Sequence, residues 1–285
     1  MYRNYDAVVS MELDDDFWEP EPETAEIRKD PAVEAAKGDI RVLFTEKPNS
    51  IAYVKQLQVW FERKYFHWVT GFAIRDLLDE GFLSSDLEFF ADPARLSLKF
   101  IYKKGNRYRE RPKKVIARIV RKYSEPMIAR AAGMQAQTLF LAALLKRGFS
   151  FKGENTREFG EKKWIETNHD LDFVLERDGM KYGFEVKNRL EYIEREELLL
   201  KVRLCKSIGL IPVFVMRASP KTYNNAIINE GGYSWIFESQ IYPPGQEQLV
   251  TEINSTLRIP AVCSVSIPEG MVHRFEKWHR RKCGM

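Results

Sequence analysis

The stretch from Asn168 to Asn188, NHDLDFVLERDGMKYGFEVKN, constrains this 285-residue chain more than any other. Two apolar runs flank Asp178-Gly179. Asp-Gly between alternating strands is a hairpin signal, because the tight turn needs positive φ at both central residues. A two-residue turn centred there sets Asp172 directly across from Glu185 and Asp170 across from Lys187. Side chains alternate faces along a strand. Leu171, Phe173, Leu175, Tyr182, Phe184 and Val186 are therefore expected on one face, and Asp170, Asp172, Val174, Glu185 and Lys187 on the other. Two or three carboxylates and one lysine then meet on a small area of sheet.

Such a cluster can hold Mg²⁺, which takes hard oxygen ligands and is often served by one or two carboxylates plus water and phosphate. A lysine beside it can stabilise charge developing on phosphorus or orient an attacking water. A solvated hairpin face with cross-strand ion pairs is the alternative these residues alone leave open. The surrounding order of elements bears on that choice. Met127 to Lys146 is Ala-rich and strongly helical, with Leu139, Phe140, Leu144 and Leu145 apolar, and Gly148 ends it. Phe149-Ser150-Phe151 begins an extended segment. After Lys187 comes a helical run from Glu194 to Ser207, then Ile211-Pro212-Val213-Phe214-Val215-Met216, a run that suits a strand buried on both faces. Strand, helix and strand with a covered sheet make an α/β architecture.

This arrangement resembles the PD-(D/E)XK, or restriction-endonuclease-like, nuclease superfamily, whose pattern is an Asp on one strand and Glu-x-Lys on the next. Here that is Asp172 with Glu185-Val186-Lys187. The resemblance implies a mixed central sheet flanked by helices over about residues 125–245. It implies Asp172, Glu185 and the Val186 carbonyl as metal ligands, Lys187 as the group that positions water, and Mg²⁺ as cofactor with Mn²⁺ as a substitute. Cleavage would leave a 5′-phosphate and a 3′-hydroxyl. Asp170 is the alternative ligand. Members often carry a Glu on the preceding helix; here that position is Gln137, which puts a second tightly held metal in doubt. Glu166 and His169 are near in sequence but not required. Lys201 or Arg203 either neutralises a phosphate or lies on a solvated helix face, and Gln135 is open between a site role and helix surface.

The N-terminal half has a different pattern. Ser50 is expected to cap a helix reaching Lys64, with Val54, Leu57, Phe61 and Tyr65 on one stripe. Thr70 is expected to cap a second helix that Gly81 stops. Extended segments at Phe82-Leu83 and Leu96–Tyr102 follow, with a turn at Lys103-Lys104-Gly105-Asn106. Residues 45–112 are similar to a winged helix-turn-helix, a small α+β domain. The resemblance implies a recognition helix at Thr70–Leu78 and a wing at Lys99–Arg109. Lys103, Lys104, Arg107 and Arg109 would contact phosphates and Arg75 would reach base edges. Winged helices also serve as dimerisation units, so a protein-contact role stays open.

Charge supports a polyanionic partner. Lys99 to Lys122 holds 11 Lys/Arg against Glu110 alone, whereas residues 1–40 hold 12 acidic and 4 basic side chains. Such a basic concentration attracts nucleic acid. The expected division is an acidic arm at 1–44, a DNA-binding domain with its connecting helix at 45–124 (Val115, Ile116, Ile119 and Val120 inward), the nuclease-like domain at 125–245, and a C-terminal helix with a basic tail at 246–285. The tail mixes Arg274, Phe275, Lys277, Trp278, Arg280, Arg281 and Lys282, a composition suited to nucleic acid or to plain solvation.

Cys205, Cys263 and Cys283 have neither zinc nor disulfide spacing. No apolar run is expected to cross a membrane and no signal segment opens the chain, which points to a cytoplasmic, nucleoid-associated protein. No phosphate-cradling glycine loop is present, which argues against ATP-driven work. The expected function is a Mg²⁺-dependent DNA endonuclease in transposition, end processing or defence. The layout is similar to the endonuclease subunit of a cut-and-paste transposition machine. A Holliday-junction or other structure-selective resolvase, and a catalytically silent DNA-binding or assembly protein, are the alternatives. Expected partners are DNA, proteins of a transposition or recombination complex and a second copy of the chain, with no membrane.

Overall fold

Asp30 caps the first helix by accepting the Ala32 N–H at 2.8 Å, and Pro31 takes the first helical position, where its missing N–H is harmless. The computed structural model describes residues 30–90 and 96–285. Residues 1–29, with most of the acidic run, lie outside the described residues. α1 (Pro31–Glu46) occupies the end of the stretch expected to be an arm without a core. Val33, Ala36, Ile40 and Phe44 recur at helical spacing and are fully buried, so this part has a core to fold against.

β1 (Ile51–Tyr53), α2 (Val54–Phe61), α3 (His67–Asp79), β2 (Leu83–Phe90) and β3 (Leu96–Lys103) follow. They form a three-stranded antiparallel sheet in the order β1-β3-β2. The expected helix from Ser50 begins later, because Ile51–Tyr53 pairs with β3 and Tyr53 takes the cap position. Thr70 does not cap α3; it is buried inside it, and Phe66 precedes the first turn. The hairpin is formed by β2 and β3, with its connection at residues 91–95 outside the described residues, not by a turn at Lys103–Asn106. Past β3 the chain enters α4 (Glu110–Tyr123) and does not return as a strand. α1, α2 and α3 cover one face of this sheet through Ala52, Leu83 and Ile101. α4 covers the other through Ile116, Ile119 and Val120, while Val115 faces outward.

α5 (Pro126–Leu145) leads into β4 (Ser150–Thr156) and a small hairpin of β5 (Glu158–Phe159) and β6 (Lys162–Lys163). β7 (Leu171–Arg177), β8 (Met180–Lys187), α6 (Arg195–Ser207), β9 (Ile211–Met216), α7 (Lys221–Asn229) and β10 (Tyr233–Ile236) complete a mixed sheet of order β10-β9-β8-β7-β4. The β8–β9 and β9–β10 pairs are parallel and the β4–β7 and β7–β8 pairs antiparallel. β9 is buried on both faces as expected: Val213 and Val215 pack towards α5, Phe214 and Met216 towards α6 and α7. The α/β architecture, a mixed central sheet flanked by helices, is the one expected. α5 is itself long and apolar enough to cross a membrane by length and composition, contrary to expectation. Here Ala136, Leu139, Phe140 and Leu144 lay it on the sheet.

β11 (Gln240–Tyr242), α8 (Glu247–Glu252), a π-helical turn (Ile253–Leu257) and β12 (Ala261–Cys263) then return to the N-terminal half. There Leu249, Ile253 and Leu257 share a core with Tyr53, Phe100 and Ile119. The expected basic tail is an ordered helix, α9 (Glu269–Lys282), whose Val272 and Phe275 pack beside α5 on the mixed sheet.

Candidate active site

Asp178 and Gly179 both adopt positive φ, 52° and 73°, as a tight hairpin turn demands. The register follows the sequence: Arg177 pairs with Met180, and the ladder continues to Phe173 opposite Phe184. There the β7–β8 ladder stops. The Val186 N–H is taken up by the Asp172 side chain, with Oδ2 accepting it at 2.6 Å. Leu171 departs from the expected face. It packs with Val174, Leu204 and Cys205 on the α6 side instead of with Phe173, although it still pairs with Thr156 of β4 after the β8 ladder has ended.

Glu185 and Lys187 are held differently, by the parallel ladder to β9 at Phe214 and Met216. Glu185 is 1% exposed, which is costly for a carboxylate unless it is paired. Its Oε1 receives Lys187 Nζ at 2.8 Å and Lys201 Nζ at 2.6 Å. Glu197, on α6, lies 3.1 Å from Lys187 and 3.7 Å from Lys201. Two carboxylates and two ammonium groups thus close a ring between β8 and α6. Glu185 Oε2 is left buried with no hydrogen-bond partner.

Burial pushes the Asp172 carboxyl up to about 7, and the nearby charge of Glu185 adds to the shift; Lys201, the Val186 N–H and Lys187 oppose it. Burial works against the charged form of Lys187, yet Glu185 and Glu197 outweigh it and raise its pKa. Burial likewise disfavours ionised Glu197, but Lys187 and Lys201 hold its pKa below the ordinary value. The site thus sets a lysine held in its charged form beside a carboxyl whose proton affinity burial raises.

Asp172, Glu185 and Lys187 come together as the sequence predicts. Val186 engages Asp172 through its amide. Gln137 reaches the site from α5, its side-chain amide donating to the Asp172 carbonyl oxygen at 3.3 Å. Asp170 lies outside β7 and is half-buried. His169 bonds locally to Thr167, Glu166 is exposed, and Gln135 donates to the Ser264 carbonyl. Lys201 belongs to the buried ring, whereas Arg203 is exposed. Glu197 escaped the sequence reading. Its one signal is the i, i+4 spacing to Lys201, which is common on solvated helices too.

The expected DNA-contacting residues separate. Arg75 and Lys104 line a cleft of about 620 Å³ between α3 and the β2–β3 hairpin, together with Lys99, Ser84 and Ser85. Arg107 is exposed, and Lys103 is half-buried beside the Phe82 ring. Arg109 is occupied within the fold, donating to Asp86 at 3.2 Å and to the Asn106 carbonyl at 2.9 Å. Lys113 is buried among Asp86, Glu88 and Glu110, so part of the basic run is neutralised internally.

The donor set fits a hard cation. Two carboxylates approach each other, and one buried oxygen, Glu185 Oε2, lacks a partner. Among the described residues no group of three or more His, Cys, Asp or Glu is placed to hold an ion. A metal here would need water or phosphate to fill its shell, which suits Mg²⁺ and not a structural zinc. No family model matches this chain, and no curated protein or solved structure matches it significantly.

Proposed function

We propose that this chain is a metal-dependent DNA endonuclease built on a restriction-endonuclease-like sheet, with a winged-helix-like N-terminal part that holds duplex DNA. The observation that carries the proposal is the buried meeting of Asp172, Glu185 and Lys187 where β7 and β8 part, with Glu185 Oε2 unpartnered. Structural carboxylates are normally satisfied; a buried oxygen left open in a charged cluster points to a ligand. The order α1-β1-α2-α3-β2-β3, with β1 pairing β3, supports the winged-helix reading.

In this reading Asp172 and Glu185 hold Mg²⁺, with the Val186 carbonyl as a further ligand. The bound ion would supply charge neutralisation at the phosphate and a more acidic water. Lys187, kept protonated by Glu185 and Glu197, donates to the attacked phosphate or its water. Gln137 steadies Asp172 through its backbone carbonyl. Arg75, Lys104 and Arg107 supply contacts to the duplex. A cytoplasmic, nucleoid-associated role in transposition, end processing or defence accords with this chemistry, and cutting both strands would take a second copy or a partner subunit. One observation favours a second reading, a silent DNA-binding protein: Lys201 already neutralises Glu185 from within the fold.

Plasmid cleavage with Mg²⁺, Mn²⁺ or EDTA tests the proposal, comparing the native chain with Lys187→Ala and Asp172→Asn. Metal-dependent nicking, lost in both variants while DNA binding is kept, is the expected result. DNA binding by the native chain without cleavage in any metal supports the silent reading.

A further inference from the structure

Phe66 stands at the start of α3 with 67% of its surface exposed, and its ring stacks on that of Trp68. The centroids are 4.4 Å apart and the planes within 8° of parallel. Trp68 is half-buried against the α1–α3 core, so the pair is a fixed slab with its Phe66 side turned to solvent. Arg63 and Lys64, both exposed, stand three and two residues before Phe66 in the chain, and Lys64 is held by Asp39 at 2.9 Å.

The slab is tied to the nuclease sheet. His67, between the two aromatics, lies 3.0 Å from Glu62 through its Nε2. Glu62 receives both terminal nitrogens of Arg217, at 2.9 and 3.0 Å. Arg217 is 1% exposed and follows directly on β9, and its backbone N–H donates to the Lys187 carbonyl at 2.9 Å. Phe66, His67, Glu62, Arg217 and Lys187 thus form a short bonded path. Three polar contacts and one peptide link separate the aromatic pair from the backbone of Lys187.

We propose that Phe66 and Trp68 form a stacking platform for an unpaired nucleobase of the strand engaged at the Lys187 site. A planar base is the partner that a flat aromatic face beside cations fits best, since every base has a π-face and a phosphate follows it. A protein partner fits less well. One ring is a small part of the area a stable interface buries, and the core of such an interface is depleted in lysine. This inference rests on the nuclease reading and narrows its substrate to DNA with an unpaired base: a frayed end, a flap, a junction or a distorted step.

The test uses the full chain, a 2-aminopurine-labelled single strand, the same strand with abasic sites throughout, and a blunt duplex. Phe66→Ala is expected to weaken single-strand binding about 5- to 150-fold, the range for one base stacked on an aromatic side chain. It is expected to abolish the quenching of 2-aminopurine and to leave duplex binding unchanged, with Phe66→Trp restoring both losses. Single-strand affinity unchanged in Phe66→Ala would overturn the platform, as would an equal loss on the abasic strand. Loss of self-association in the variant without loss of base binding would assign the pair to a protein contact and overturn it as well. If the native chain binds neither strand form nor duplex, the nuclease reading falls together with the platform. If it binds and cuts duplex while Phe66→Ala has no effect, the platform alone falls.

Discussion

The two ends of the β7–β8 hairpin bury charge in opposite ways. At the turn end, His279 is fully buried, with Nδ1 2.7 Å from the Tyr182 hydroxyl and Nε2 2.9 Å from Asp178. Arg177 donates to the Arg147 carbonyl and to Glu276, which Arg147 also reaches. These groups satisfy one another and fasten α9 to the hairpin. At the open end, Glu185 has two lysines on one oxygen and nothing on the other, and the Asp172 carboxyl is pushed up to about 7. One pair of strands therefore carries both a closed polar network and an incomplete one. The closed network secures the position of a helix, whereas the incomplete one leaves binding capacity unused.

The largest difference between the ends is expected in activity. Lys187→Ala or Asp172→Asn should lower the rate of metal-dependent cleavage about 10²–10³-fold or more, by analogy with removing one preorganised transition-state contact. His279→Ala should leave the rate per folded molecule unchanged. Equal activity losses at both ends would break the contrast.

Stability should fall at both ends, and what restores it should differ. Lys201→Met leaves the Glu185 carboxylate without its 2.6 Å partner. Urea unfolding should show a loss of about 1.5–3 kcal/mol, the range for one hydrogen bond to a charged group, because Lys187 still holds the same oxygen at 2.8 Å. Adding Glu185→Gln to that variant should recover most of the loss. At the turn end, His279→Ala removes two hydrogen bonds and the ring packed against Phe149, a loss of about 2–4 kcal/mol. Between the ends, a Cβ at Gly183 would meet Leu171 Cδ1 at 2.7 Å and Cys205 Sγ at 2.8 Å. Gly183→Ala should therefore destabilise by about 1–3 kcal/mol through overpacking.

A last contrast is a pH dependence in metal-free protein. The folded Asp172 pKa of about 7 stands above the ordinary 3.8, so the folded state binds the extra proton between those values. Its contribution to stability is complete below 3.8 and fades as pH rises towards 7. Asp172→Asn removes that loss. The melting temperature of the variant relative to native protein should therefore rise from pH 5 to pH 8 in EDTA. A flat difference would mean that Asp172 is not perturbed.

What could be read from the sequence was mostly local. The Asp178-Gly179 turn and strict alternation set the hairpin register, and with it the meeting of Asp172, Glu185 and Lys187. The apolar run of β9 indicated a covered sheet. Features set by distant contacts were less legible. Glu197 and Lys201 are a surface-type pair in sequence, and only the packing of α6 on β8 turns them inward. The helix of Pro31–Glu46 had its signals in Asp30, Pro31 and the Val33-Ala36-Ile40-Phe44 stripe, but the acidic run before it dominated the composition. Tyr53 and its neighbours read as the start of a helix because β1 is three residues long and owes its extension to β3. The basic count overstated the free positive surface, since Lys113 and Arg109 are spent on Asp86 and its neighbours.

The return of Leu249, Ile253 and Leu257 to the core under Tyr53, Phe100 and Ile119 bears on how the molecule can be taken apart. A fragment ending near residue 124 would lack the lid on the lower face of its small sheet, and a fragment starting near residue 125 would carry that lid with nothing beneath it. Both pieces would expose a contiguous apolar surface in water. Dissection by truncation would thus report on aggregation, and the two halves are better interrogated by point substitution in the intact chain.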